Sequence, residues 1–237
     1  SEGSDPSSTD VVAPTINKRT LTMRDAALYF DVTFEMIRRN IAGSGLNNQL
    51  NQLFSKRFGK DLVRVIFNGD RDKANDTRLN KCLRVADGII KRATADANVH
   101  DYSINGSEDY IGTILPGMLK LLPKDYRDNR DELAFFVSAD VEDAIADQIG
   151  ARKTAYADMV LFGDEKFYKY KRITIFPVYG LPDGSPILTP KKNIVVGFGE
   201  QATIGHDIYN RKRVDEVTLS VDFDVNYAVG DAIVMGA

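Results

Sequence analysis

Cysteine, histidine and tryptophan are scarce in this 237-residue chain, which has one Cys, two His and no Trp. A single thiol, Cys82, excludes an intrachain disulfide, and with it the disulfide-stapled class of small secreted domains. Two His and one Cys leave little material for a His/Cys zinc cage or a Cys–His nucleophile pair. No apolar run approaches the ~18 residues that a transmembrane helix needs. The first residues, Ser1-Glu2-Gly3, include no Met and lack the charged-then-apolar pattern of a signal peptide. These shortages count against several large enzyme classes before any motif is read.

What the chain does have is enough apolar material, 43%, to bury a real core. Its length fits one large domain or two modest lobes. The net charge of −3 is the sum of four blocks of alternating sign. Residues 1–100 carry 16 basic and 12 acidic side chains, and residues 101–165 carry 6 and 14. Residues 166–213 carry 9 and 3, and residues 214–237 carry five acids and no bases. Such blocks are either solvated faces or complementary patches on neighbouring copies, where charge sets register between partners.

Residues 1–17 are rich in Ser, Asp, Pro and Thr and bury too little to hold a local fold, so they read as an arm or tail. Between 18 and 34, two short apolar runs fit either a hairpin or a helix through Ala26-Ala27-Leu28. Glu35 to Ile41 reads as a helical turn stopped by Gly43-Ser44-Gly45. The clearest element is a helix over 46–67. Its apolar stripe falls at 46, 50, 53, 54, 58, 62, 65 and 66, and it spans ~33 Å. Its polar face carries Lys56, Arg57, Lys60 and Arg64. A second helix is expected over 79–95, a polar link over 98–110 and a helix over 111–122. A buried strand over 133–137 and a Ser138-capped helix over 139–149 follow. Beyond Phe167 the period becomes two, with strands expected at 170–176, 194–198, 214–226 and 232–235. Helices precede strands, so the class is α+β.

Few motifs carry chemistry. Gly197-x-Gly199-x-x-Ala202 matches a relaxed dinucleotide fingerprint, but Thr203-Ile204-Gly205 after it is poor helix material. Asp70, Asp72 and Asp76 resemble a calcium loop but lack its Gly at position six and Glu at position twelve. Asn75-Asp76-Thr77 and Asn105-Gly106-Ser107 read as chance sequons. His100 and His206 suggest no triad, and Cys82 reads as an ordinary buried thiol. Catalytic, cofactor and metal sites are therefore expected to be none. The four cations of the long helix are the candidate contact residues, facing a neighbouring subunit or, by weak salt-sensitive contact, packaged nucleic acid.

The order of elements resembles a known family. Val32-Thr33 through Ile41, then the helix ending Phe67-Asn68-Gly69-Asp70, resembles the lead-in and spine helix of tailed-phage major capsid proteins of the Hong Kong 97 fold, which encapsulins share. Gly117 to Tyr126, with Leu121-Leu122-Pro123 and Tyr126-Arg127, resembles the axial helix, and Leu133 to Ser138 the strand after it. Ile175 to Val178, Leu188 to Gly197 and Arg213 to Met235 resemble the late strands. The resemblance implies an arm over 1–17 and a short extended loop with lead-in over 18–42. It implies a peripheral domain over 43–105, a mainly axial domain over 106–212 and strands returning to the periphery over 213–237. It further implies homo-oligomeric pentamers and hexamers of an icosahedral shell around double-stranded DNA. Portal, scaffold and decoration proteins would be partners, and assembly would take place in the host cytoplasm, away from any membrane. A Ser1 start agrees with the proteolytic trimming common in that family. The alternatives are an encapsulin, a small hydrolase or nucleotide-binding enzyme, and a tail-tube or adhesion module.

Overall fold

The structure is a computed structural model that describes residues 18–38, 46–104, 109–152, 167–199 and 202–236. The arm over 1–17, the end of the lead-in and the Asn105 sequon lie outside these residues.

Helix α1 (Phe34–Arg38) is followed by the long α2 (Leu46–Asn68), ~34 Å at 1.5 Å per residue. The apolar stripe of α2 serves three hydrophobic clusters in succession. Leu50, Phe54 and Phe58 meet Val32, Val217 and Leu219. Leu62 and Val65 then meet Ala26, Leu83, Val221 and Phe223. Val63 and Phe67 reach Leu181, Tyr227 and Ile233.

The surface under α2 is a four-stranded sheet. Its centre is β9 (Val214–Tyr227). Strand β1 (Arg24–Thr33) pairs antiparallel along one edge of β9. Along the other edge β7 (Ile194–Phe198) and β8 (Thr203–Tyr209) pair in tandem, both antiparallel. A second sheet has the order β2 (His100–Tyr102), β10 (Val234–Gly236), β6 (Ile187–Pro190), β3 (Leu133–Val137), β5 (Ile173–Pro177) and β4 (Lys169–Tyr170). Helices α5 (Leu115–Leu121) and α7 (Ala139–Gly150) bury Leu115, Met118, Val141 and Ile145 against it. A short α6 (Lys124–Arg127) follows Pro123, and Ser138 caps α7 by accepting from the Val141 N–H.

Several expectations need correction. Residues 18–34 form neither a local hairpin nor a helix. Ala26, Leu28, Phe30 and Val32 alternate inward, and β1 finds its partner nearly two hundred residues away, Ala26 opposite Val221. The single helix over 79–95 is two, α3 (Arg78–Leu83) and α4 (Ile89–Thr94). Gly88 breaks it. Its N–H donates to the Gly69 carbonyl at 2.9 Å, and a Cβ there would lie 2.6 Å from the Gly69 nitrogen. Only glycine permits that approach of two backbones. The polar link over 98–110 contains β2, which pairs parallel to β10. The strand over 170–176 is a hairpin, because Lys171 and Arg172 take φ of 47° and 75°. Two left-handed residues in succession make a tight primed turn.

Each sheet draws on segments far apart in the chain. β7 and β8 fall within 106–212 yet join the sheet under α2. β2 and β10 fall within 43–105 and 213–237 yet join the six-stranded sheet.

Candidate assembly surfaces

The four cations singled out on the spine helix do not form one patch. Arg57 donates from Nε to Asp61 Oδ2 at 3.0 Å, and this hydrogen bond raises its pKa further. Arg64 lies 3.9 Å from the same carboxylate. Arg64 and Lys60 also stack over the Tyr179 ring, at 4.8 and 5.3 Å from its centroid. Lys56 is exposed. A charged row in the sequence is therefore split between an ion pair, an aromatic platform and solvent.

The remaining chemical candidates also find structural roles. Lys91 gathers Asp70 at 2.6 Å, Asp72 at 2.6 Å and Asp87 at 2.9 Å, and Asp70 above all raises its pKa. Asp76 accepts from the Asn80 side chain at 2.7 Å at the start of α3. The acidic loop is thus organised around an ammonium, and no group of three metal-ligating side chains occurs among the described residues. Gly199 donates to the Asp222 carbonyl, and the element after the glycine-rich stretch is strand β8, not the helix a dinucleotide site needs. His100 lies in β2 and His206 in β8, 3.4 Å from Asp215, so the two histidines belong to different sheets. Burial raises the Cys82 thiol above its ordinary pKa, which makes it a poor nucleophile at neutral pH. No helix among the described residues is long and apolar enough to cross a membrane.

Sequence reasoning missed the surfaces that most need covering. Every residue of β8 is exposed, including Ile204, Ile208 and Tyr209. The tip that follows, Arg211-Lys212-Arg213, is exposed as well. At the opposite edge of the same sheet, a cleft of about 770 Å³ opens between β1, α2 and α3. Phe58, Leu62, Leu79 and Val85 line it, with Arg57, Arg64, Arg78 and Lys81 among its charged groups. The sequence did carry a signal for β8, the alternation of Ile204, His206 and Ile208. The cleft had none, because it joins residues that are far apart in the chain.

Among the described residues the fold leaves two sheet edges uncovered beside a spanning helix, which invites comparison with known folds. The putative prophage capsid protein YqbE of Bacillus subtilis (strain 168) is 26% identical over 230 residues, 93% of this chain and 71% of that protein. A chain of the satellite phage P4 procapsid superposes with a TM-score of 0.70 at 12% identity, covering 99% of this chain and 77% of that one. The chain has the Hong Kong 97 capsid fold. The holo-SrpI encapsulin of Synechococcus elongatus PCC 7942 has the same fold, with a TM-score of 0.59 at 14% identity over 90% of this chain and 73% of that one. No protein-family profile matches. The resemblance read from the sequence to tailed-phage capsid proteins, and the α+β class, both stand.

Proposed function

We propose that this chain is the repeating coat subunit of an icosahedral phage-type shell. The observation that carries this reading is relationship along nearly the whole chain to a prophage capsid protein, combined with the capsid fold. In this reading the sheet of β1, β9, β7 and β8 with α2 is the peripheral lobe. The six-stranded sheet with α5 and α7 is the axial lobe around which pentamers and hexamers form. Shell building rests on many modest contacts that act together, so no single interface has to be strong. The protein catalyses nothing. The enclosed double-stranded DNA is held by non-specific, salt-sensitive contact. Portal, scaffold and decoration proteins complete the particle, which assembles in the host cytoplasm.

An encapsulin-type compartment is the second reading, favoured by the likeness to holo-SrpI. Electron microscopy of the purified chain tests both. Closed shells are expected, and a monodisperse monomer at high concentration would sink the proposal. Nuclease-protected DNA in shells purified from infected or induced cells supports the coat protein, whereas a protein cargo supports the compartment.

A further inference from the structure

The register of a strand is set by a connecting turn or by the pattern of its buried side chains. No turn joins β1 to β9, whose paired residues lie nearly two hundred positions further along the chain. The buried pattern does not decide either. Ala26, Leu28, Phe30 and Val32 stand opposite Val221, Leu219, Val217 and Asp215. A slip of two residues keeps each of them on the inward face and sets them opposite Phe223, Val221, Leu219 and Val217. By its cross-strand pairs the observed register is the poorer of the two. It sets Val32 against Asp215, whose Oδ1 is buried with no hydrogen-bond partner among the described residues. On the outward face it sets Asp25 against Asp222 and Asp31 against Glu216, and like charges directly opposite destabilise a ladder. The slip separates both pairs and brings Asp25 opposite Asp224.

A restraint outside the ladder therefore holds β1 in place, and residues 18–23 supply it. They run on from β1 over β9 towards β7. The Thr22 N–H donates to Asp224 Oδ2 at 2.7 Å, and Arg92 holds the other oxygen of that buried carboxylate at 2.7 Å. Asn226 donates to the Thr20 carbonyl at 3.1 Å. Arg19 donates to Asp96 at 2.5 Å and lies over the Tyr227 ring. Leu21 and Met23 lie against Gly197, where a Cβ would come within 2.7 and 2.9 Å of their side chains. Every one of these anchors sits on β7, on β9 or just beyond α4, and none on β1. They fix where β1 begins. A two-residue slip moves the strand by ~6.8 Å, which none of these hydrogen bonds survives. We infer that residues 18–23 are a strap that locks the register of β1 on β9, and that β1 released from it slips two residues towards the C-terminal end of β9.

Pairs of cysteines on the outward face report the register, in full-length chain carrying Cys82→Ser. Tyr29→Cys with Thr218→Cys stands directly opposite in the observed register, and Tyr29→Cys with Ser220→Cys in the slipped one. A disulfide needs Cβ atoms about 4 Å apart, and diagonal neighbours lie about 7 Å apart, so each pair closes in one register only. Closure is read as loss of free thiol in the monomer after a brief pulse of copper phenanthroline. With the strap intact, the first pair should close and the second stay open. Arg19→Ala with Thr22→Pro removes the guanidinium and the N–H from the strap without touching either strand, and should raise closure of the second pair by about tenfold. Asp96→Asn removes a single anchor, so it should fold even where the double variant does not, and should give a smaller rise. Two results overturn the inference. One is closure of the second pair in chain with an intact strap, which would mean that the register is not locked. The other is a second pair that stays open in every strap variant that folds. Lower melting temperatures with that outcome would mean that the strap adds stability and leaves register to the packing of Phe30 on Phe54.

Discussion

At the scale of single residues, the most consequential groups are carboxylates that the strand pattern sends outward and the chain then covers. Asp222 and Asp224 alternate with Val221, Phe223 and Val225, so the sequence reads both as solvent-facing. Asp224 is instead only 1% exposed. It accepts from Arg92 at 2.7 Å and from the Thr22 N–H at 2.7 Å. The alternation was legible, but the covering segment of residues 18–23 was not, because nothing local marks where that segment lies. Arg92 keeps a quarter of its side chain in water and Asp224 almost none, so the two halves of the pair are unequal. Arg92→Ala strands a buried carboxylate and should cost about 3–5 kcal/mol, whereas Asp224→Asn leaves a partly wetted guanidinium and should cost less. Urea midpoints of the two variants give the order directly. A second pair responds to pH. The Arg19 guanidinium holds the Asp96 carboxyl down to about 2, and Tyr227 also donates to it at 2.9 Å. Burial, then Asp96, pushes the Tyr227 hydroxyl up to about 12, so it remains a donor throughout the range. A carboxyl with a lowered folded pKa stabilises above its unfolded value, near 4, and loses that contribution as pH falls towards 2. Asp96→Asn should therefore cost about 1–2 kcal/mol at pH 7, with the gap to the parent narrowing below pH 4 in urea titrations.

At the scale of elements, what the sequence showed well were the long periodic pieces. The α2 stripe, the β3 run, the Ser138 cap and the alternation of β9 each arise from local chemistry repeated over several residues. What it hid depended on a distant partner. β1 looked like a hairpin or a helix because its ladder is with β9. The Lys171-Arg172 turn lacked the Asn-Gly signature because its left-handed residues are both long cations. The break at Gly88 was concealed because Ala86, Ile89 and Ile90 continue a helical stripe on either side of it. The break turns Leu83 and Ala86 into one cluster with Val65 while Ala93 joins another with Phe67. One unbroken helix would present all of them along one line. Gly88→Ala should consequently lose about 1–3 kcal/mol, since its new methyl would meet the Gly69 nitrogen and the Phe67 carbonyl, which are backbone atoms and cannot rotate away. A thermal melt that matches the parent would show that the two short helices are not held by this approach.

At the scale of the whole molecule, the uncovered parts are as informative as the core. The candidate cations were legible as residue types but not as a surface, since whether a cation meets Asp61, Tyr179 or water is decided by tertiary neighbours. β8 is the clearest uncovered element. A seven-residue edge strand with Ile204 and Ile208 exposed at 49% and 63% is an aggregation hazard in a free monomer, and natural edges are normally blunted or covered. On the proposed shell reading the cover is another subunit, and a hydrophobic edge is then expected. Two measurements on one variant separate folding from assembly. Ile204→Asp with Ile208→Asp removes almost no buried area within the subunit, so the melting curve of the unassembled chain should move by less than about 0.5 kcal/mol. The same pair of charges would have to be desolvated when a neighbour covers β8, so shell yield should fall by at least tenfold, a change of about 1.4 kcal/mol in each affected contact being enough. Hydrogen exchange supplies the matching observation on the parent chain. Amides of Thr203 to Tyr209 should exchange rapidly before assembly and become protected within shells. Full yield from the double variant, or β8 amides equally protected in the free subunit, would mean that this edge is not where copies meet.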